Sequence, residues 1–300
     1  MQNEPATGQS RASLNLRGFA YLACAFFFFS SGDVIAKVLT AHLHPIQIVW
    51  ARQAGLMCIA MILLARYGTR LLQTSFPKLQ IIRGTLAVLS AVCFILALRN
   101  VPLADAVTVT FIAPFLVTVL GALLLREHVS PARWVAIALG FAGALIIIRP
   151  GLGVFHPTIF LVVLAACYFA LRQVLSRTLS ATDNTLTTLC YTAIVSFAIL
   201  CIPLPFVWEW PESRNLYFLM AAMSLLSSIG EILVIRAFEV AEAVVVAPMH
   251  YSLIIWATFY GWLIFDQLPD IWTWIGTAVI FATGIFLVRH ERRPRRRLGP

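Results

Sequence analysis

Two stretches decide the fold: Arg99-Asn100-Val101-Pro102-Leu103-Ala104-Asp105-Ala106-Val107 and Arg236-Ala237-Phe238-Glu239-Val240-Ala241-Glu242-Ala243-Val244. The arginine, the acid and both alanines keep one register. Outward from them the correspondence continues with small offsets. Glu127 answers Asp266, Trp134 answers Trp274, Arg149 answers Arg289, and Lys37 answers Arg177. A string of matches in one order marks an internal duplication.

Each copy divides into five apolar blocks. The first half gives Arg17–Leu39, Pro45–Arg66, Leu79–Asn100, Ala104–Leu125 and Pro131–Arg149. A glycine- and proline-bearing break follows at 150–156. The second half gives Pro157–Leu179, Thr185–Trp208, Asn215–Phe238, Glu242–Phe265 and Ile271–Arg289. Each block runs about twenty residues, enough to cross ~30 Å of hydrocarbon at 1.5 Å per residue. The expected fold is an all-α membrane protein of ten transmembrane helices. Five spans is an odd number, so the second repeat enters the membrane inverted relative to the first. Inverted repeats provide two exchangeable gates around one central site, the usual basis of alternating access.

Composition agrees. The chain of 300 residues is 60% hydrophobic and 12% charged, with a mean hydropathy of +0.88. A soluble domain carries about 25% charge, so lipid must cover most of this exterior. Of the net charge of +9, much lies in the tail, at Arg289, Arg292, Arg293, Arg295, Arg296 and Arg297. Directly after an apolar helix, that run reads as contact with anionic lipid and a topology signal, not as a nucleic-acid surface. Arg11, Arg17, Arg66, Arg70, Lys78, Arg83, Arg126, Arg133, Arg177 and Arg236 fall on the same side as the tail. The other side holds Arg99, Arg149 and Arg214 with Glu209, Glu212, Asp266 and Asp270. Both termini are therefore expected in the cytoplasm, and the chain in the inner (plasma) membrane. Trp208, Trp210, Trp272 and Trp274 stand where interfacial aromatics belong.

The domain reading is a polar, disordered cytoplasmic segment 1–16, a first repeat 17–149, an external linker 150–156, a second repeat 157–289 and a basic cytoplasmic tail 290–300. The first block is too long, and too closely followed by others, for a cleaved signal peptide. All six cysteines fall in apolar blocks, without a CxxC pair or histidine partners at ligand spacing. They read as packing residues, and neither metal nor cofactor is expected. No phosphate-binding loop, nucleophile elbow, HExxH or GxGxxG pattern occurs, so the chain is not expected to be an enzyme or to use ATP.

These features resemble the drug/metabolite transporter superfamily, specifically its EamA-type permeases. The resemblance spans Arg17 to Arg289. It rests on Ala97-Leu98-Arg99-Asn100 with Ala104-Asp105-Ala106, on Pro114, on Leu123-Leu124-Leu125-Arg126-Glu127, and on Gly140 and Gly143. The second half is a looser copy, with Pro248 for the helix proline and Asp266 after a Leu-Ile-Phe run. The resemblance implies two inverted five-helix units around a cavity lined by helices one, three, four, six, eight and nine. Some members export amino acids; others carry drugs, nucleobases or organic acids, and a drug, nucleotide sugar or organic acid is the alternative solute here. The function this implies is a secondary permease exporting small polar metabolites, above all amino acids.

Ionisable groups deep in a bilayer cost about 2.5–3.5 kcal/mol at a helix centre on insertion scales, so the few present are the site candidates. Ser224, Ser227, Ser228 and Glu231 form one polar stripe on the eighth block. It is either a cavity wall, with Glu231 binding an ammonium or exchanging a proton, or a helix seam held by serine hydrogen bonds with Glu231 paired to a buried arginine. On the first block Asp33 either pairs with Lys37 one turn on or serves an outer gate. The run Phe26-Phe27-Phe28-Phe29 beside it reads mostly as lipid contact. Tyr168, Arg172 and Ser176 share a face of the sixth block. Arg172 either snorkels toward water or clasps a substrate carboxylate. Arg52 reads as a structural partner.

Pro114 and Pro248 interrupt corresponding helices of the two halves, which points to the binding site. His250 and Tyr251 follow Pro248 and are candidates on that ground. Ser90, Phe94, Thr108, Phe111 and Tyr168 would complete a mixed aromatic and hydroxyl lining. Ala136, Gly140 and Ala144 make a small-residue stripe suited to close packing or a homodimer seam, so the chain is expected as a monomer or homodimer.

Overall fold

The computed structural model describes residues 8–124, 131–148, 156–179, 182–240 and 252–291. Among these residues every regular element is helical. The helices are α1 (Gly8–Leu39), α2 (Pro45–Tyr67), α3 (Pro77–Leu98), α4 (Leu103–Thr110), α5 (Ala113–Leu124), α6 (Pro131–Ile148), α7 (Ile159–Leu179), α8 (Thr185–Cys201), α9 (Leu204–Val207), α10 (Arg214–Val240), α11 (Ser252–Phe265) and α12 (Ile271–Glu291). A 3-10 turn, Thr69–Leu72, follows α2.

Helix starts follow local chemistry. Pro45 and Pro77 open α2 and α3, where a missing N–H costs nothing. Asn184 Oδ1 accepts the Leu186 N–H at the head of α8, and Asp270 Oδ1 accepts the Thr273 N–H at the head of α12. The fourth block is not one helix. It breaks at Phe111–Ile112 into α4 and α5, because Pro114 cannot donate to the carbonyl one turn back. Phe111 N and Ile112 N close tighter turns onto Thr108 O and Val109 O.

Among the described residues six stretches are long and apolar enough to cross a bilayer: Leu16–Leu39, Pro45–Tyr67, Pro77–Leu98, Leu103–Leu124, Ile159–Ser176 and Arg214–Ala237. Four shorter apolar helices accompany them: Trp134–Ile148, Thr185–Cys201, Ser252–Phe265 and Ile271–Thr283. Large apolar side chains such as Ile62, Leu123, Phe206 and Phe218 lie exposed on the outside. In water they would be a liability; in lipid they are the ordinary surface.

The packing carries an internal two-fold. α1 packs on α10 as α3 packs on α7. α2 packs on α10 as α8 packs on α3, and α5 packs on α7 as α11 packs on α1. Exchanging the halves converts each contact into its counterpart, while α2–α8 and α6–α12 map onto themselves. The small residues serve this packing. Gly140 receives the Phe115 ring, and Ala136 and Ala144 are buried within the chain. Gly143 faces Gly276 where α6 crosses α12.

Two readings change here. The Phe26–Phe29 run is not mainly lipid contact. Phe26 is buried, Phe27 meets Trp256 edge to face with centroids 5.0 Å apart, and the Phe29 ring lies against Gly230. Nor are all cysteines packed inside, since Cys24, Cys58 and Cys201 are exposed on the outer surface.

Candidate functional site

The upper end of the bundle is taken as the end where α1, α3 and α11 finish. Two packed pairs, α1 with α10 and α3 with α7, frame the interior. Among the described residues α7 and α10 make no extensive contact with each other. Their inward side chains meet across the space between the pairs.

That space holds a group of charges drawn from both halves. Arg172 on α7 has its guanidinium carbon 4.9 Å from the Phe169 ring centre, and its Nε is buried without a hydrogen-bond partner. Glu231 on α10 is half-buried and acts electrostatically on Arg172. Arg83 on α3 feels both. Its Nε donates to Ser176 Oγ at 2.7 Å, and its Nη1 donates to Thr192 Oγ1. Arg83 thus binds across to α7 and α8, a role that the topology count, which enters it only as a charge on that side, does not give it. Its signal was its position in α3, more than one turn inside the helix that Pro77 opens.

Tyr168 is half-buried one turn before Arg172. Phe94 and Phe111 belong to the main apolar core, Phe111 deeply so. Ser90 Oγ donates to Ala165 O at 2.9 Å and so links α3 to α7. The serine stripe of α10 divides. Ser228 donates to Ser224 O at 2.7 Å, and both serines press on Gly55 of α2, a helix seam. Ser227 faces Gly32 of α1 with its hydroxyl buried and unpartnered, as is that of Ser30. Thr108 bonds back to Ala104 O at 2.8 Å.

Nearer the upper end Asp33 does not pair with Lys37. Its Oδ1 accepts from Arg52 Nη1 at 2.7 Å, joining α1 to α2. Lys37 instead donates to Val101 O at 2.6 Å and sits 5.2 Å from the Phe265 ring centre. It spans from α1 to the α3–α4 turn, within the field of Asp105. Around it opens a pocket of ≈310 Å³ lined by Lys37, Val38, Thr40, Ala41, His42, Leu98, Arg99 and Phe265. This pocket lies at the upper end, between the C-terminal ends of α1, α3 and α11. Ser31 Oγ and Tyr260 Oη are 2.8 Å apart, tying α1 to α11. Pro114 is exposed at the start of α5. Pro248, His250 and Tyr251 lie outside the described residues, as does Glu127.

Comparison with known proteins matches the EamA-like transporter family twice, over residues 16–149 and 156–289. The chain belongs to the EamA-like transporter family. Its two repeats are the two family units, and it is a multi-pass membrane transporter. Similar proteins include an S-adenosylmethionine uptake transporter of Rickettsia conorii, 28% identical over 93% of this chain and 94% of that one. The pseudopaline exporter CntI of Pseudomonas aeruginosa is 29% identical over 92% of this chain and 97% of its own. A riboflavin transporter of Rhizobium johnstonii is 27% identical over 99% and 98% of the two chains. A solved crystal structure superposes with a TM-score of 0.63 at 18% identity, covering 94% of this chain and 99% of that one, a likeness of fold.

Proposed function

We propose that this EamA-type transporter is a secondary permease that exports small polar metabolites, above all amino acids, by alternating access. One observation carries the solute class. Arg172 and Glu231 stand on different packed pairs, α7 with α3 and α10 with α1, carry opposite charges, and act on each other electrostatically. A zwitterion presents a carboxylate to the guanidinium and an ammonium to the carboxylate. Tyr168, Phe94 and Phe111 would receive the rest of the solute, together with His250 and Tyr251. Asp33, Pro114 and Pro248 take the gating or coupling part, and Ser90 and Ser228 hold the walls that bear the site.

The two repeats stand inverted in this reading, as ten spans with both termini in the cytoplasm of the inner membrane. Rocking about the internal two-fold opens the site to either face in turn. The ≈310 Å³ pocket beside Lys37 is then the outer mouth. The relatives are named for uptake as well as export, so support for the outward direction is the family resemblance alone.

Reconstituted vesicles loaded with labelled amino acids, S-adenosylmethionine, riboflavin, nucleotide sugars and dicarboxylates test the reading. Amino acids are expected to cross above the empty-vesicle rate, and a rate equal to empty vesicles for all of them rejects the solute class. The aromatic group of Phe27, Trp256 and Tyr260 on α1 and α11 favours one second reading, a flat aromatic solute. Riboflavin flux without amino-acid flux would establish it. An imposed pH gradient is expected to accelerate the unmodified chain and not Glu231→Gln; flux indifferent to both removes the proton role.

A further inference from the structure

We propose that Arg83 and Arg172 together form the seat for an acidic group of the transported solute, with Glu231 as the internal anion that holds the seat while it is empty. The proposal rests on the transport reading above and adds to it a residue and a charge requirement.

The argument begins with the cost of charge. A guanidinium deep in a spanning helix is retained only with partners or a task. Among the described residues the ion pair within 4 Å is Arg52 with Asp33, so neither Arg83 nor Arg172 has a carboxylate in direct contact. Arg83 is held by two neutral hydroxyls, Ser176 on α7 and Thr192 on α8. They fix its direction without neutralising it. Arg172 is held by the Phe169 face, and its Nε points at no acceptor. The two cations repel each other, while Glu231 attracts both.

Two guanidiniums and one carboxylate act on one another in this group, with Arg83 anchored to Ser176 one turn beyond Arg172. One positive charge is left over, in a place where water cannot screen it well. An anionic group entering between them relieves that repulsion, and a guanidinium pair matches the planar, two-oxygen geometry of a carboxylate. The placement suits exchange. Arg83 and Arg172 stand on one packed pair, α3 with α7, and Glu231 stands on the other, α1 with α10. A solute carboxylate that takes the arginines frees Glu231 and so loosens the electrostatic tie between the two pairs. Binding is thereby coupled to their relative position.

The test uses the full chain in liposomes and detergent. The probes are L-glutamate, L-phenylalanine and succinate, each beside its carboxamide. The acids are expected to cross and to protect Arg83 and Arg172 from phenylglyoxal, mapped by mass spectrometry, and the amides to do neither. Arg83→Gln is expected to raise the half-saturating concentration of an acid by about tenfold or more, the scale of one charge-assisted hydrogen bond. Arg83→Lys should recover part of it. Glu231→Gln should act in the opposite sense on succinate, which brings no ammonium, lowering its half-saturating concentration and raising phenylglyoxal modification of Arg172, a gain that general misfolding does not produce. Acid and amide crossing equally well, or Arg83→Gln affecting both alike, overturns the seat. If no probe crosses, the amino-acid reading fails, yet phenylglyoxal modification still decides the seat: unchanged labelling of Arg172 in Glu231→Gln rejects it. Should Arg83→Gln fail to fold, Arg83→Lys and Glu231→Gln carry the decision.

Discussion

Asp183 sits at the lower end of the bundle, in the turn before α8. Its Oδ2 accepts from Gln80 Nε2 at 2.7 Å and from Thr74 Oγ1, and Gln80 Nε2 also reaches Thr188 Oγ1 at 3.1 Å. Burial raises the carboxyl's pKa, but the hydrogen bonds from Thr74, Gln80, the Ser75 backbone and Thr182 outweigh it and hold the group below the ordinary aspartate value. A depressed folded-state value means that the ionised group stabilises the fold at neutral pH. That contribution disappears as pH falls through the depressed value. Asp183→Asn is therefore expected to lower the unfolding temperature at neutral pH, with the gap from the unmodified chain closing as the medium is acidified. A gap constant with pH would show that the charge contributes nothing. Gln47 makes the matching clasp at the upper end, its Nε2 donating to Glu209 O at 2.9 Å and its Oε1 accepting from Glu209 N at 3.0 Å. Side chains of this kind were not legible beforehand. Gln47 and Gln80 read as ordinary polar residues near helix starts, and only their distant partners give them a role. Arg172 and Glu231 were legible, because a charge in an apolar run stands out by its cost.

The crossing of α6 and α12 belongs to the scale of elements. A Cβ on Gly276 would lie 2.6 Å from Gly143 O, and one on Gly143 would lie 3.0 Å from Gly276 O. The backbones approach until only hydrogen fits, which is how helices gain contact where lipid offers no hydrophobic drive. Gly276→Leu is expected to force the helices apart and cost about 1–3 kcal/mol, the usual scale of overpacking. Thermal unfolding in detergent followed by size-exclusion profile measures it, and an unshifted profile would mean that the crossing is loose. Gly140 could be read from the sequence as a packing residue, but not its partner, Phe115 on α5, nor the meeting of Gly143 with Gly276 on α12. The break between α4 and α5 was half legible. Pro114 announces an interruption by its missing N–H, yet where the chain turns, at Phe111–Ile112, depends on which carbonyls find donors. Asp266 ends α11 in the left-handed region at φ 51°, a conformation usual for glycine and tolerated by aspartate. Its place in the Leu-Ile-Phe-Asp run gave no sign of that turn.

At the scale of the whole molecule, exchanging the halves converts the packing of α1 on α10 into that of α3 on α7. A two-fold axis in the membrane plane accounts for this if the repeats are inverted, and it fixes where the termini lie. Reporter fusions at residues 1 and 300 are both expected to be active only in the cytoplasm; one active outside would require an odd number of spans. The sequence by itself determined that the chain is helical, duplicated and lipid-clad. Those properties follow from local averages: apolar runs of spanning length, too few charges for a water-facing surface, and a motif written twice in one register. Which polar groups face one another was decided only by the tertiary structure. Arg83 meets Ser176 and Thr192, Asp33 turns from Lys37 to Arg52, and Ser228 closes on Gly55. Helical periodicity gives each side chain a direction about its own axis, but the rotation and depth of neighbouring helices depend on the packing of all of them together.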